Sequence, residues 1–170
     1  TPELFLSCGF PIAACEVKIL VDSDQEVKTG EAGETCVRAP HVMAEYWKRP
    51  DITAETLKNG WVHTGDIARQ DERGYMFILD RKKDMIVTGG FNIFPREVED
   101  VLSQHADVAM VAVVGVPDEK WGEAVTAIVV PREGAKPDAD ELINLVKTRK
   151  GSAHAPKHIQ FVKQLPMTGV

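Results

Sequence analysis

"LDRKKDMIVTGGFNIFPREVED", residues 79–100, changes character three times. Charge runs unbroken from Asp80 to Asp84, an apolar stretch leads into Gly89-Gly90, and a helix start follows. The Gly-Gly pair predicts the tip of a tight hairpin between two short strands. Pro95 suits the first position of a helix, where its missing N–H is no loss. Val98, Val101, Leu102 and His105 then recur at helical spacing along one face. A charged turn, a flexible tip and a helix start are thus packed into one short segment, and a surface turn beside a hairpin is the simplest account of it.

Upstream of this segment the chain reads as strands and turns. "EVKILVD" (16–22) places Val17, Ile19 and Val21 on one face, as in a half-buried strand. "TCVRA" is a second short strand, and "PDITAETLKNG" suits one or two helical turns with Gly60 as the stop. "DIARQDERGYMFILD" predicts a hairpin turning at Asp71–Gly74. Downstream, "VAMVAVVGV" (108–116) and "EAVTAIVVP" are strands, the first apolar enough for a central position in a sheet. Asp138 with Glu141 predicts a cap ahead of Leu142, Leu145 and Val146, and "HIQFVK" is a last strand. The expected class is α+β: a β-rich piece first, then a compact sheet with two or three helices, the character changing near residues 80–84.

The 170 residues carry a net charge of -6, with 44% hydrophobic and 27% charged positions, which suits a soluble globular chain. The acidic balance leaves no footprint for nucleic acid or anionic membrane. The longest apolar run, 108–116, is too short to span a bilayer. Cys8, Cys15 and Cys36 have neither zinc-ligand spacing nor an even count, so buried reduced thiols in a cytoplasmic protein are expected. No metal site is expected from the spacing of the candidate ligands.

Four features could carry chemistry. Asp66, after Gly65 at the start of a predicted strand, offers a carboxylate able to accept two hydrogen bonds at once, as a ribose diol requires. A turn aspartate would look the same. Arg81 could bring a fixed fork of donors to the same ligand, although "RKK" alone also suits a solvated turn. Gly89-Gly90 would let a ligand approach the backbone closely. Trp121, in "DEKWGEAV", could stack on a planar or slender ligand, or be a half-buried core residue. His63 is ambiguous, a lone histidine at a strand edge.

Taken in order, "GETCVRAPHVMAEYWKRPDITAETLKNGWVHTGDIARQDERGYMFILDRKKDMIVTGGFNIFPREVEDVL", then "VAVVGVPDEKWGEAVTAIVVP" and "LPMTGV", resemble the C-terminal third of the adenylate-forming acyl-CoA synthetases. The resemblance covers nearly the whole chain. It implies that residues 1–82 are the β-rich end of a large AMP-binding domain and 83–170 a small mobile α+β domain. It also implies activation of a carboxylic acid, expected to be fatty, with ATP and magnesium, followed by transfer of the acyl group from AMP to CoA. By the same resemblance Asp66 in "HTGD" and Arg81 in "DRKKD" bind the nucleotide, and Lys83 is the hinge between two poses of the small domain. Gly89, Gly90, Asn92 and Trp121 would lie on the CoA side.

Three departures qualify the likeness. The family's reactive lysine, in a Gly-Lys pair, is expected just beyond Val170. Its phosphate loop and its acidic magnesium motif are expected upstream of Thr1, so no ligase activity is expected of the fragment alone. Ala39 and Glu45 stand where relatives often have Gly. Two alternatives stay open at this stage. One is an adenylation-domain fragment of a peptide synthetase, which "MIVTGGFNIFPREVE" disfavours against the free-CoA branch. The other is a stand-alone interaction module without catalysis.

Overall fold

The computed structural model describes residues 2–166. The chain divides into two compact units, Thr1–Lys83 and Asp84–Val170. The ending Met167–Val170, with the expectations attached to it, lies outside the described residues.

The first unit is an antiparallel sheet of β1 (Glu16–Leu20), β2 (Gly33–Arg38), β3 (Leu57–Lys58), β4 (Trp61–Gln70) and β5 (Met76–Arg81), with one short helix, α1 (Pro50–Thr56). β4 is its spine: β2 runs along one edge, and β3 and β5 share the other. Ile19, Ala68 and Met76 form a small core, with Val17 packed against it. Val17 and Ile19 therefore face inward as the alternation predicts. Val21 does not follow them, because the strand ends at Leu20 and the chain turns back, the Val21 N–H bonding to the Gln25 carbonyl. Gly60 is also not a helix stop. The helix ends at Thr56, and Asn59-Gly60 (φ 51° and 79°) is the two-residue turn of the β3–β4 hairpin. The Asp71–Gly74 turn forms as expected, the Asp71 carboxylate accepting the N–H groups of Arg73 and Tyr75.

The second unit holds β6 (Ile86–Thr88), β7 (Phe91–Ile93), α2 (Pro95–Leu102), β8 (Val108–Asp118), β9 (Gly122–Pro131), α3 (Ala139–Lys150) and β10 (His158–Phe161). The expected α+β class is what the chain adopts. Pro95 opens α2, and the Asp138 side chain caps α3 by accepting the Asp140 N–H at 2.7 Å. Glu141 takes no part in the cap and instead meets His105 at 3.4 Å. Val98, Leu102, Leu142 and Val146 are fully buried. Each favours the folded state by about 1.5–3 kcal/mol relative to exposure. His105 lies beyond α2, in the turn that leads to β8.

One strand order departs from expectation. β9, not β8, is central: β8 pairs along one edge of β9, while β10 (parallel) and β6 take the other. Among the described residues β8 pairs with β9 alone. Its register shifts between Val108, which is buried, and Met110; beyond that its side chains alternate, Val113 buried while Met110, Val114 and Val116 are exposed. β9 instead buries the consecutive residues Ala124–Ala127, as a strand covered on both faces must. No helix among the described residues is long and apolar enough to cross a membrane.

Candidate functional site

Asp66 sits in the middle of β4, not at its start. Between the pairs Glu34↔Ile67 and Cys36↔His63, β4 carries more residues than β2 and bulges outward. Gly65, at φ +72°, permits that bulge. The Asp66 N–H is held by the Thr64 hydroxyl, which itself donates to the Thr35 carbonyl. Across the β4–β5 ladder Asp66 faces Arg81, and Arg81 Nη1 donates to Asp66 Oδ1 at 2.5 Å. Asp66 also lines an open pocket of about 180 Å³ with Phe10, Pro11, Thr64, Met76 and Ile78. The pair offers a carboxylate with further acceptor capacity beside a guanidinium fork, half exposed at the pocket edge. Hydroxyl donors and phosphate oxygens are its natural complements.

Behind the bulge lies a buried group that motif reading passed over. Glu34, with its side chain 10% exposed, receives Lys82 Nζ at 3.0 Å and the Gly65 N–H at 3.1 Å. Its Oε2 also lies 3.1 Å from His63 Nδ1. Lys82 reaches in addition to Asp22 at 2.7 Å. Burial pushes the Glu34 carboxyl up, but hydrogen bonds from His63, Lys82 and Gly65 outweigh it and hold it below its ordinary value. The hydrogen bond to Asp22 raises Lys82. Lys82 is therefore no solvated turn residue, contrary to the plain reading of "RKK". A charged residue at an inward position of the alternation "GETCV" was the available signal. Its partners come from β4 and from the turn after β5, out of reach of local pattern.

Glu34, Cys36 and His63 bring their donor atoms within 4.8 Å of one another, a geometry that could hold a metal ion. The Lys82 ammonium already supplies the positive charge there. Burial, helped by the Glu34 charge, pushes the Cys36 thiol up to about 11. Glu34, His63 and Lys82 make an ion-pair network beside it. The cysteines are also less uniform than expected: Cys36 is buried, Cys15 half-buried and Cys8 exposed.

In the second unit the β6–β7 hairpin turns at Gly89-Gly90, both at positive φ. The Gly89 N–H donates to the Trp121 carbonyl at 2.8 Å, and a Cβ on Gly89 would stand 3.0 Å from Trp121 Cε3. The structure thus brings Gly89 and Trp121 into direct contact. The Trp121 ring is partly exposed, with Lys120 and Lys157 ammonium groups 4.8 and 4.9 Å from its centroid. Asn92 is exposed on β7, paired across to Val87. Lys83, exposed in a single 3-10 turn at Lys82–Asp84, ends the first unit.

The family model described as AMP-binding enzyme C-terminal domain matches residues 97–170, and that described as AMP-binding enzyme matches residues 2–47. A medium/long-chain-fatty-acid–CoA ligase of Mycobacterium tuberculosis is 53% identical over 96% of this chain and 30% of its own length. Among solved structures, the amide bond synthetase McbA from Marinactinospora thermotolerans superposes with a TM-score of 0.89 at 42% identity, over 99% of this chain and 34% of that one. The o-succinylbenzoate CoA synthetase MenE from Bacillus subtilis, in complex with its acyl-adenylate intermediate, gives a TM-score of 0.88 at 37% identity, over 97% and 34%. The chain spans about a third of the length of these relatives. It belongs to the adenylate-forming superfamily of AMP-binding enzymes, as a C-terminal portion of the acyl-CoA synthetase kind.

Proposed function

We propose that the chain serves an ATP-dependent acid–thiol ligase acting on a fatty or related carboxylic acid. In that reaction a carboxylate oxygen attacks the α-phosphorus of ATP and pyrophosphate leaves. The thiol of CoA then attacks the acyl carbonyl and AMP leaves. A carboxylate alone resists the second step because oxide is a hopeless leaving group; AMP is a good one. Magnesium accompanies the ATP in this reading.

The observation that carries the proposal is the Asp66–Arg81 pair, held by a bulge at the edge of an open pocket. The Asp66 carboxylate would accept from the ribose hydroxyls, and Arg81 would donate to the same nucleotide. Such fixed charges need little reorganisation when the phosphate charge shifts. Lys83 would be the pivot: a few backbone torsions at an exposed residue suffice to reorient a domain. Gly89, Gly90, Asn92 and Trp121 would line the path of the pantetheine arm, the glycines leaving room for a slender chain. The ligase names of the relatives support free CoA as acceptor.

The test is ATP–pyrophosphate exchange by the full-length gene product against a panel of carboxylic acids, with AMP release on addition of CoA. Exchange that depends on a fatty acid, and is lost in Asp66→Ala, is the expected result. Exchange independent of any acid, or unaltered by Asp66→Ala, overturns the reading. The 170 residues alone are expected to form no acyl-adenylate.

A further inference from the structure

We infer that Glu34 is a positioning residue that ties the nucleotide pair and the start of the pivot to one buried carboxylate. The inference rests on the nucleotide reading of Asp66 and Arg81 given above.

Glu34 is on β2, yet its partners lie at the two ends of the proposed site. Oε1 accepts the N–H of Gly65, the residue before Asp66. Oε2 accepts from Lys82, the residue after Arg81 and before Lys83. The side chain is nearly enclosed, so neither bond has bulk water as a ready replacement, and removing one partner strands the other. Asp22 holds Lys82 from a second direction at 2.7 Å, which fixes the ammonium between two carboxylates. The bulge at Gly65 is itself a departure from the ladder, with its N–H turned to a side chain instead of a strand partner. The Glu34 carboxylate is what satisfies it.

Two consequences follow. The depth and direction of Asp66 depend on Glu34, although Glu34 does not meet the ligand. Torsional freedom at the joint begins at Lys83, because Lys82 is clamped on the side chain. His63 completes the ring of partners around Oε2.

The experiment uses the full-length gene product with Glu34→Gln, Lys82→Met, Lys82→Arg and Asp66→Ala. For each, ATP–pyrophosphate exchange gives KM for ATP and kcat, and thermal unfolding is recorded beside them. Glu34→Gln and Lys82→Met are expected to raise KM for ATP about tenfold with a much smaller change in kcat, since a misplaced contact weakens binding of the group it holds. Lys82→Arg is expected to restore KM. A merely structural role would lower the melting temperature and leave KM alone; that result overturns the inference while Asp66→Ala still abolishes exchange. Asp66→Ala without effect overturns the nucleotide reading, and this inference with it. Should Glu34→Gln fail to fold, amide exchange in the unmutated full-length gene product decides: slow exchange at Gly65 is expected, and exchange there as fast as in the exposed turn at Glu72 overturns the inference.

Discussion

Replacing Gly89 by alanine tests the contact at the hairpin tip, because its neighbour Gly90 provides an internal control. Both residues have positive φ, 55° and 83°, so an alanine at either carries left-handed strain of about 1–2 kcal/mol. Only at Gly89 does the new Cβ meet anything: Trp121 Cε3 at 3.0 Å and Cζ3 at 3.3 Å, against open space at Gly90. Those distances force the ring or the tip to yield by a few tenths of an ångström, and such overpacking costs about 1–3 kcal/mol. Gly90→Ala should therefore destabilise the second unit by about 1–2 kcal/mol, and Gly89→Ala by about 2–5 kcal/mol. Hydrogen exchange of the buried β9 amides at Val125 and Val129 reads that unit without interference from the first. In a Trp121→Ala background the excess at Gly89 should disappear, giving a coupling of about 1 kcal/mol or more in the double-mutant cycle. Equal effects of Gly89→Ala and Gly90→Ala, or additivity with Trp121→Ala, would refute the reasoning.

Gly33→Ala should be more damaging than either, because its Cβ would stand 2.7 Å from the Leu20 carbonyl oxygen, a backbone atom that only a strand shift can move; thermal unfolding of the first unit measures it. Alkylation of the native chain should mark exposed Cys8 first, while Cys36, buried and with its thiol pushed up to about 11, should react only on unfolding; mass spectrometry of the labelled peptides gives the order. The pH dependence follows from the two ends of the Glu34–Lys82 pair. Glu34 is depressed in the folded state, so its contribution is present above its unfolded value and is lost as pH falls below about 4. Lys82 is raised, so its contribution is full below its unfolded value and is lost as pH rises past about 10.4. Urea midpoints from pH 3 to 11 should fall at both ends, and Lys82→Met should flatten the alkaline fall.

The parts of this chain that could be read from its sequence are those set by neighbours in sequence. Gly89-Gly90, Pro95 and the Asp71–Gly74 turn each carry their own backbone chemistry, and they form where expected. Asp66 and Arg81 were visible as residue types, and the hairpin between them makes their meeting a matter of register. The order of the second sheet was not visible in this way. β9 becomes central because β6, from before α2, and β10, from beyond α3, both take the edge that β8 leaves free. Glu34 was missed for the same reason: its partners, Gly65 on β4 and Lys82 just past β5, are remote in sequence and reach it only once the sheet has formed and β4 has bulged. Lys82, read as one of three solvated charges, differs from Lys83 through pairing with Asp22 and Glu34.

The central claim is that the stretch opening at Leu79 joins two half-reactions, with Lys83 as the pivot between nucleotide binding and thiol transfer. Lys83→Pro in the full-length protein tests it directly, because proline locks φ and restricts the residue before it. The measurement is single-turnover transfer from preformed acyl-adenylate to CoA, set beside ATP–pyrophosphate exchange in the same preparation. The account predicts that transfer slows by about tenfold or more while exchange stays within about threefold, a difference of roughly 1 kcal/mol in barrier between the two steps. Equal loss of both half-reactions, or loss of exchange alone, would contradict it.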